Sequence, residues 1–319
     1  MSALRIWAMA ARPRTLPAAL APVLVGTAAA AHVLANRGAG TIEGDDGSLS
    51  IAWVSDRADQ LRLGVFAAAL IGALFIQIGT NLANDYSDAK RGADTVDRLG
   101  PVRVTASGLV TPRRVLHATW AAFAVAILAG LYLAAEVGPE LIAVGLVSIA
   151  AGVLYTGGPR PYGYEGLGEL FVFVFFGLVA VNGSYYVQLE SLDWAPFLLS
   201  IPIGLLSAAI LVVNNLRDIE TDRRAGKRTL AVRIGRERTR ILYLAMIAAS
   251  YLCLPLVLLA GSDWAPVLLG LLSVPLARRP IAAVRTRTDG PALNQALAGT
   301  GALLGAYAVL VAIGLSVWL

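Results

Sequence analysis

Cysteine is almost absent from this chain: Cys253 is the only one in 319 residues, so neither a disulfide framework nor a thiolate metal site can be built. Histidine is nearly as scarce. His32 and His117 stand apart among apolar neighbours, which excludes a His-ligated zinc centre and a Ser-His-Asp set and leaves both as interfacial or packing residues. No Walker loop or dinucleotide glycine motif occurs in a fitting context. Charge is thin as well: Asp, Glu, Lys and Arg make up 15% of a chain that is 57% hydrophobic, a balance outside the range of soluble domains. The N-terminus lacks a cleavable signal pattern, because Arg5 interrupts a short apolar stretch and Arg12-Pro13-Arg14 stands where small residues would be needed. It reads instead as a short amphipathic helix on the inner membrane interface, with Trp7 as anchor.

What the chain has in abundance is long apolar runs. Spans near the ~20 residues a membrane helix needs are expected at 16–34, 63–83, 115–135, 141–158, 167–189, 194–216, 241–260, 264–284 and 296–319. The expected fold class is therefore all-α: a multi-pass membrane helical bundle of nine transmembrane helices, forming a single domain over residues 1–319. With the N-terminus cytoplasmic and the C-terminus outside, all but three of the 26 Lys and Arg residues fall in inner segments, the exceptions being Arg37, Arg57 and Arg62. That asymmetry accounts for the pI near 9.5 and gives no support to nucleic-acid binding. Trp53, Trp194, Trp264 and Trp318 are expected at outer ends as an interfacial belt. Residues 36–62, rich in Gly, Asp and Ser, read as a long flexible outer loop.

Two acidic clusters are expected where apolar helices end on the inner face: Asn84-Asp85-Tyr86-Ser87-Asp88, and Asn214-Asn215-Leu216-Arg217-Asp218 with Asp222 one turn further on. They are related by an offset of 130 residues, which pairs Asn84 with Asn214, Asp85 with Asn215 and Asp88 with Asp218. Acids at a bilayer boundary are costly unless they bind something, and an oxygen-only donor set without His or Cys suits Mg2+ bridging carboxylates to phosphate. Asp94 lies beyond a helix-breaking Gly92. Lys90, Arg91, Arg217, Lys227 and Arg228 are candidates to hold phosphate oxygens. Beside this stands a plainer reading, in which Asn and Asp cap helices and basic loops follow membrane topology. It weighs most for Asp94, Asp97, Arg98, Arg223 and Arg224.

A third inner segment runs from Tyr155 through Gly157-Gly158-Pro159-Arg160 and Tyr162-Gly163-Tyr164 to Glu169. Its Gly and Pro force a compact turn. Its tyrosines, arginine and glutamates suit an aromatic, acidic co-substrate, or equally an interfacial tyrosine belt. Gln77, Asn81, Asn182, Ser184 and Gln188 inside the apolar spans could line the same cavity or bond between helices.

These residues resemble the UbiA-type intramembrane prenyltransferases. The first cluster is similar to their N-D-x-x-D motif and the second to their D-x-x-x-D motif. Arg12 to Pro17, Arg103 to Val110, Tyr155 to Pro159, Gly166 to Glu169 and Lys227 to Val232 extend the likeness, which is greatest to members that prenylate 1,4-dihydroxy-2-naphthoate in menaquinone biosynthesis. The resemblance implies helices around a central cavity open to lipid. It implies that Asn84, Asp88, Asp218 and Asp222 bind two Mg2+ on a polyprenyl diphosphate, assisted by Asp85 and Asp94, with Asn215 beside them. Arg91, Arg217, Lys227 and Arg228 would neutralise the diphosphate, with Lys90 near by. Tyr155 would face the allylic carbon, and Glu169 would deprotonate a ring hydroxyl. Several relatives carry a Lys shortly after that tyrosine, where this chain offers only Arg160. Prenyl transfer to 4-hydroxybenzoate, homogentisate, haem or a phospho-sugar is the alternative within the class. A cation-coupled transporter is the alternative outside it, and would place its acids near the midplane on broken helices.

Overall fold

In a computed structural model the described residues are 2–38, 41–43, 49–51, 60–93 and 99–317. Among them run α1 (Ala3–Ala11), α2 (Pro17–Gly38), α3 (Leu63–Lys90), α4 (Pro112–Glu136) and α5 (Glu140–Leu154). They are followed by α6 (Gly168–Leu189), α7 (Trp194–Arg224), α8 (Leu230–Ala260), α9 (Ser262–Thr286) and α10 (Gly290–Val317). Eight of these are long and apolar enough to cross a membrane. The expected span at 141–158 corresponds to α5, which has only 15 residues, about 22 Å of helix, short of a ~30 Å hydrocarbon core.

Several expectations are corrected. The acidic clusters themselves fall as their i, i+3 and i, i+4 spacing implies: α3 continues to Lys90 and α7 to Arg224, so the acids occupy the last turns of regular helix. In α3 the stop comes at Gly92, whose φ of +65° a side chain would resist. Helix α8 starts at Leu230 rather than near 241, with a kink at Gly235 after which the basic run Arg236, Arg238 and Arg240 leads into the apolar span. In the region expected to be a flexible loop, α2 reaches Gly38 and two short strands, Thr41–Glu43 and Leu49–Ile51, pair antiparallel. Trp194 is exposed as a belt residue should be, but Trp264 is buried against the His32 ring at 4.8 Å. Trp53 and Trp318 lie outside the described residues. Trp7 does not stand alone on the interface either; with Ile6 it packs on a small cluster of Ala10, Leu82, Val104, Val110 and Val115.

Two helices form the centre of the bundle. The most apolar windows of α2 and α7 are each 72% buried, against 22% for α3 and 28% for α4, whose outer faces carry exposed Ile71, Leu128 and Leu131 suited to lipid. Small residues let the central helices approach. A Cβ on Gly177 of α6 would sit 2.8 Å from the Gly204 Cα of α7, so glycine on both sides lets the two backbones touch. Around that contact α6 widens into a π-helical stretch, Phe173–Val179, which turns Phe175, Phe176 and Val179 toward a cavity.

Candidate active site

A cavity of about 370 Å3 lies among α2, α3, α4, α5, α6 and α7. One end is polar. Asn84 and Asp88 line it from α3, and Asn214, Asn215, Asp218 and Asp222 from α7, so the two clusters related by 130 residues meet in one space. The other end and one long wall are apolar, built by Gly130 and Leu133 of α4, Val144 of α5, and Phe171 and Phe175 of α6.

Asp88 is the most densely contacted of the acids. Its carboxylate is buried and meets the Arg103 guanidinium at 2.9 Å and the Lys227 ammonium at 3.2 Å, while the Tyr164 hydroxyl donates to it at 2.7 Å. Lys227 follows α7, so this ion pair joins the two halves of the site directly. Lys227 also stands over the Tyr164 ring, 4.7 Å from its centroid. Asn84 accepts from the Thr156 hydroxyl at 2.7 Å.

Asp85 has a different placement. Its two oxygens accept the backbone N–H groups of Val104 and Thr105, at 3.0 Å each, and it does not line the cavity. It anchors the segment that carries Arg103 to Asp88. Asp94 lies outside the described residues.

In the second cluster Arg217 is almost fully buried and grips Asp218 in bidentate fashion, Nε at 2.8 Å and Nη2 at 2.5 Å. The same guanidinium donates to Asn214 at 2.9 Å and to Asn294 of α10 at 2.6 Å. Asn294 in turn donates to the Leu99 carbonyl, tying the segment before Arg103 to α10. Arg217 does not itself line the cavity; Asp218 does.

The remaining sequence candidates divide by position. Tyr155 and Tyr162 line the cavity. Burial raises the Tyr162 hydroxyl above the ordinary tyrosine range, and it donates to the Ala151 carbonyl at 2.8 Å. Glu169 is buried beside the cavity wall, accepting from Asn215 at 2.9 Å through one oxygen, while the other has no hydrogen-bond partner among the described residues. Lys90 and Arg91 line a separate shallow groove with Tyr86 and Gly158, and Arg91 donates to the Gly158 carbonyl. Arg228 is exposed, its backbone N–H bonded to the Tyr164 carbonyl at 2.9 Å. Arg160 is exposed on the surface, donating to Glu165 at 3.3 Å, and that hydrogen bond and charge hold the Glu165 carboxyl below its usual range. Arg103 and Tyr164 touch Asp88, and Thr156 touches Asn84, without having been singled out as site residues. The signal was faint: Arg103 opens one of the family-like runs, and Tyr164 was one tyrosine of three.

These donors fit a hard cation held jointly with phosphate. Among the described residues no three acid, His or Cys side chains are grouped to hold a metal alone. That suits Mg2+, which is bound by one or two carboxylates completed by substrate phosphates and water rather than by an all-protein cage. A carboxylate has about four lone-pair sites, so the two taken by Arg217 leave Asp218 able to accept a cation from the cavity side.

Known proteins resemble this chain over most of its length. The UbiA prenyltransferase family matches over residues 48–297. The 1,4-dihydroxy-2-naphthoate octaprenyltransferase of Mycobacterium tuberculosis is 45% identical over 98% of this chain and 97% of its own. The enzyme of the same name from Escherichia coli is 37% identical over 100% of this chain and 98% of its own. Among solved structures, a UbiA homolog from Archaeoglobus fulgidus bound to DMAPP and Mg2+ superposes with a TM-score of 0.57 at 15% identity, covering 96% of this chain and 98% of that one.

Proposed function

The chain belongs to the UbiA prenyltransferase family and is a multi-pass membrane protein; from that premise we propose that it transfers a polyprenyl group from a polyprenyl diphosphate to 1,4-dihydroxy-2-naphthoate. The allylic C–O bond breaks and diphosphate leaves. A C–C bond forms at the ring carbon bearing the carboxylate, CO2 departs, and the product is demethylmenaquinol. The observation that carries the reading is one cavity with an acid-and-base end continuous with an apolar wall, in a chain whose close relatives bear that enzyme name.

In this reading Asn84, Asp88, Asp218 and Asp222 hold two Mg2+. Mg2+ held by these residues would supply positive charge against the charge developing on the leaving diphosphate, a transition-state electrostatic role. Lys227 and Arg103, which contact Asp88 across the cavity, move from that carboxylate to phosphate oxygens when the diphosphate arrives. Lys90, Arg91 and Arg228 form an outer basic ring that meets the diphosphate on entry. Tyr155 lies against the allylic carbon, and Glu169, through Asn215, sets the orientation of the second cluster. The apolar wall takes the isoprenoid and excludes water, so that the ring carbon captures the allylic cation before hydrolysis can. The polar end faces the cytoplasm of the cell membrane, because nearly all Lys and Arg lie on that side. Soluble diphosphate then leaves into water while the tail stays in lipid.

The test supplies purified protein with Mg2+, a polyprenyl diphosphate and 1,4-dihydroxy-2-naphthoate, 4-hydroxybenzoate or homogentisate in separate reactions. Mass spectrometry should find a decarboxylated, prenylated naphthalenediol from the first acceptor. A prenylated product from one of the others in its place refutes the acceptor assignment.

A further inference from the structure

Positive charge is not spread evenly over the membrane face that carries the acids. The segments that build the site, 84–98 and 217–228, hold eight Lys and Arg against seven Asp and Glu. The segments 236–240 and 278–289 hold seven arginines against two acids, a surplus equal to the net charge of +5 on the whole chain. Membrane orientation calls for Lys and Arg on one side, but not for the absence of acids from one corner. Topology therefore leaves this surplus unexplained.

The fold gathers the two segments at one edge of the bundle. After Gly235, α8 carries Arg236, Arg238 and Arg240, and Arg240 donates to the Arg287 carbonyl just past α9 at 3.0 Å. Arg236 donates to the Leu216 carbonyl of α7 at 3.2 Å, which sets this edge level with the second acidic cluster. The two acids are already occupied, Glu237 by Arg240 at 2.7 Å and Asp289 by Arg287 at 2.8 Å. Arg238, Arg278, Arg279 and Arg285 are exposed, and no acid pairs with any of them among the described residues. The last part of α9 is amphipathic: Ala277, Pro280 and Val284 are buried, while Arg278 and Arg285, two turns apart, share the outer face.

Toward the membrane centre the same faces turn apolar. Leu272 and Leu276 precede Arg279 on α9, and Ile241 follows Arg238 by one turn on α8; all three apolar side chains are more than half exposed. Uncompensated cations at the boundary with leucine and isoleucine beneath them match a molecule that has an anionic head and acyl chains. We propose that the ends of α8 and α9 on this face form a binding site for an anionic phospholipid of the adjoining leaflet. Arg278 and Arg279 hold its phosphate, with Arg238 and Arg285 around it, and its chains lie along Leu272, Leu276 and Ile241. The lipid holds the α8–α9 hairpin at a fixed depth. The site stands apart from the central cavity and does not depend on the prenyl-transfer reading.

The experiment measures equilibrium binding of fluorescent phosphatidylglycerol to the purified full chain in neutral detergent micelles, with the matching phosphatidylcholine as the zwitterionic control. Wild type should bind the first and not the second. Arg278→Gln with Arg279→Gln should weaken phosphatidylglycerol about thirtyfold, from about fivefold for each arginine beside an anionic headgroup. Arg285→Gln alone should weaken it about fivefold, and this single exposed change keeps the test open if the double variant unfolds. Arg113→Gln with Arg114→Gln removes two exposed arginines from the start of α4 on the same membrane face and should leave binding unchanged. Inorganic phosphate and glycerol 3-phosphate, added as competitors, should displace none of the lipid. Displacement by either makes this a site for free phosphate and overturns the proposal. So does equal weakening by the α4 variant, which reads as charge without a site, or equal binding of phosphatidylcholine.

Discussion

Arg217 gives the sharpest test, because sequence and structure assign it different work. Its spacing makes it a diphosphate ligand. Its placement makes it the buried counter-ion of Asp218, gripping both oxygens and bracing Asn214 and Asn294. Truncation by Arg217→Ala strands a carboxylate that is only 6% exposed. Breaking one side of a buried pair costs about 3–5 kcal/mol. Losing the bonds to the two asparagines adds about 1 kcal/mol each, and water entering the vacated space offsets some of that. At about 2 °C per kcal/mol for a chain of this size, the thermal midpoint in detergent should fall by on the order of 6–10 °C. Removing the stranded charge as well, in Arg217→Ala with Asp218→Asn, should recover roughly half of the lost stability and none of the activity. Scanning fluorimetry and a prenyl-transfer assay on the same preparations read both quantities. An Arg217→Ala enzyme with an unchanged midpoint and a raised KM for polyprenyl diphosphate alone would refute the scaffold role and restore the ligand role.

Asp85→Ala should release the segment around Arg103, lowering turnover and opening residues 99–111 to limited proteolysis. If Asp85 were chiefly a metal ligand, the Mg2+ half-saturation would shift instead and the protease pattern would not. Chelation of divalent ions should abolish transfer and Mg2+ should restore it, whereas activity surviving exhaustive chelation would contradict the assignment of the four oxygen donors. Gly177→Val forces side-chain atoms against the Gly204 backbone, a clash worth about 1–3 kcal/mol, and should lower the thermal midpoint; a neutral effect would mean that the α6–α7 contact is looser than the structure has it.

How much of this was legible beforehand differs from feature to feature. The spans at 63–83, 167–189 and 264–284 were placed within a few residues at their outer ends, since apolar length against a bilayer is a local property. The start of α8 at Leu230 was not, because the polar residues before the apolar span remain helical once packed and bonded from other parts of the chain. Asp88 and Asp218 were found by repetition of a pattern. Arg103 could not be, since its place beside Asp88 depends on the N–H groups of Val104 and Thr105 folding back onto Asp85.

Sequence alone therefore determined the helical membrane class, eight of the expected spans and the pairing of the two acidic clusters that line one cavity, all of which follow from residue type and spacing along one dimension. Only the tertiary structure decided which cations brace carboxylates and which face the cavity. Arg217 and Lys227 carry the same charge and lie ten residues apart, yet one is sealed between α7 and α10 while the other reaches across to α3. That difference comes from helix rotation and loop return, which depend on contacts between residues far apart in the chain.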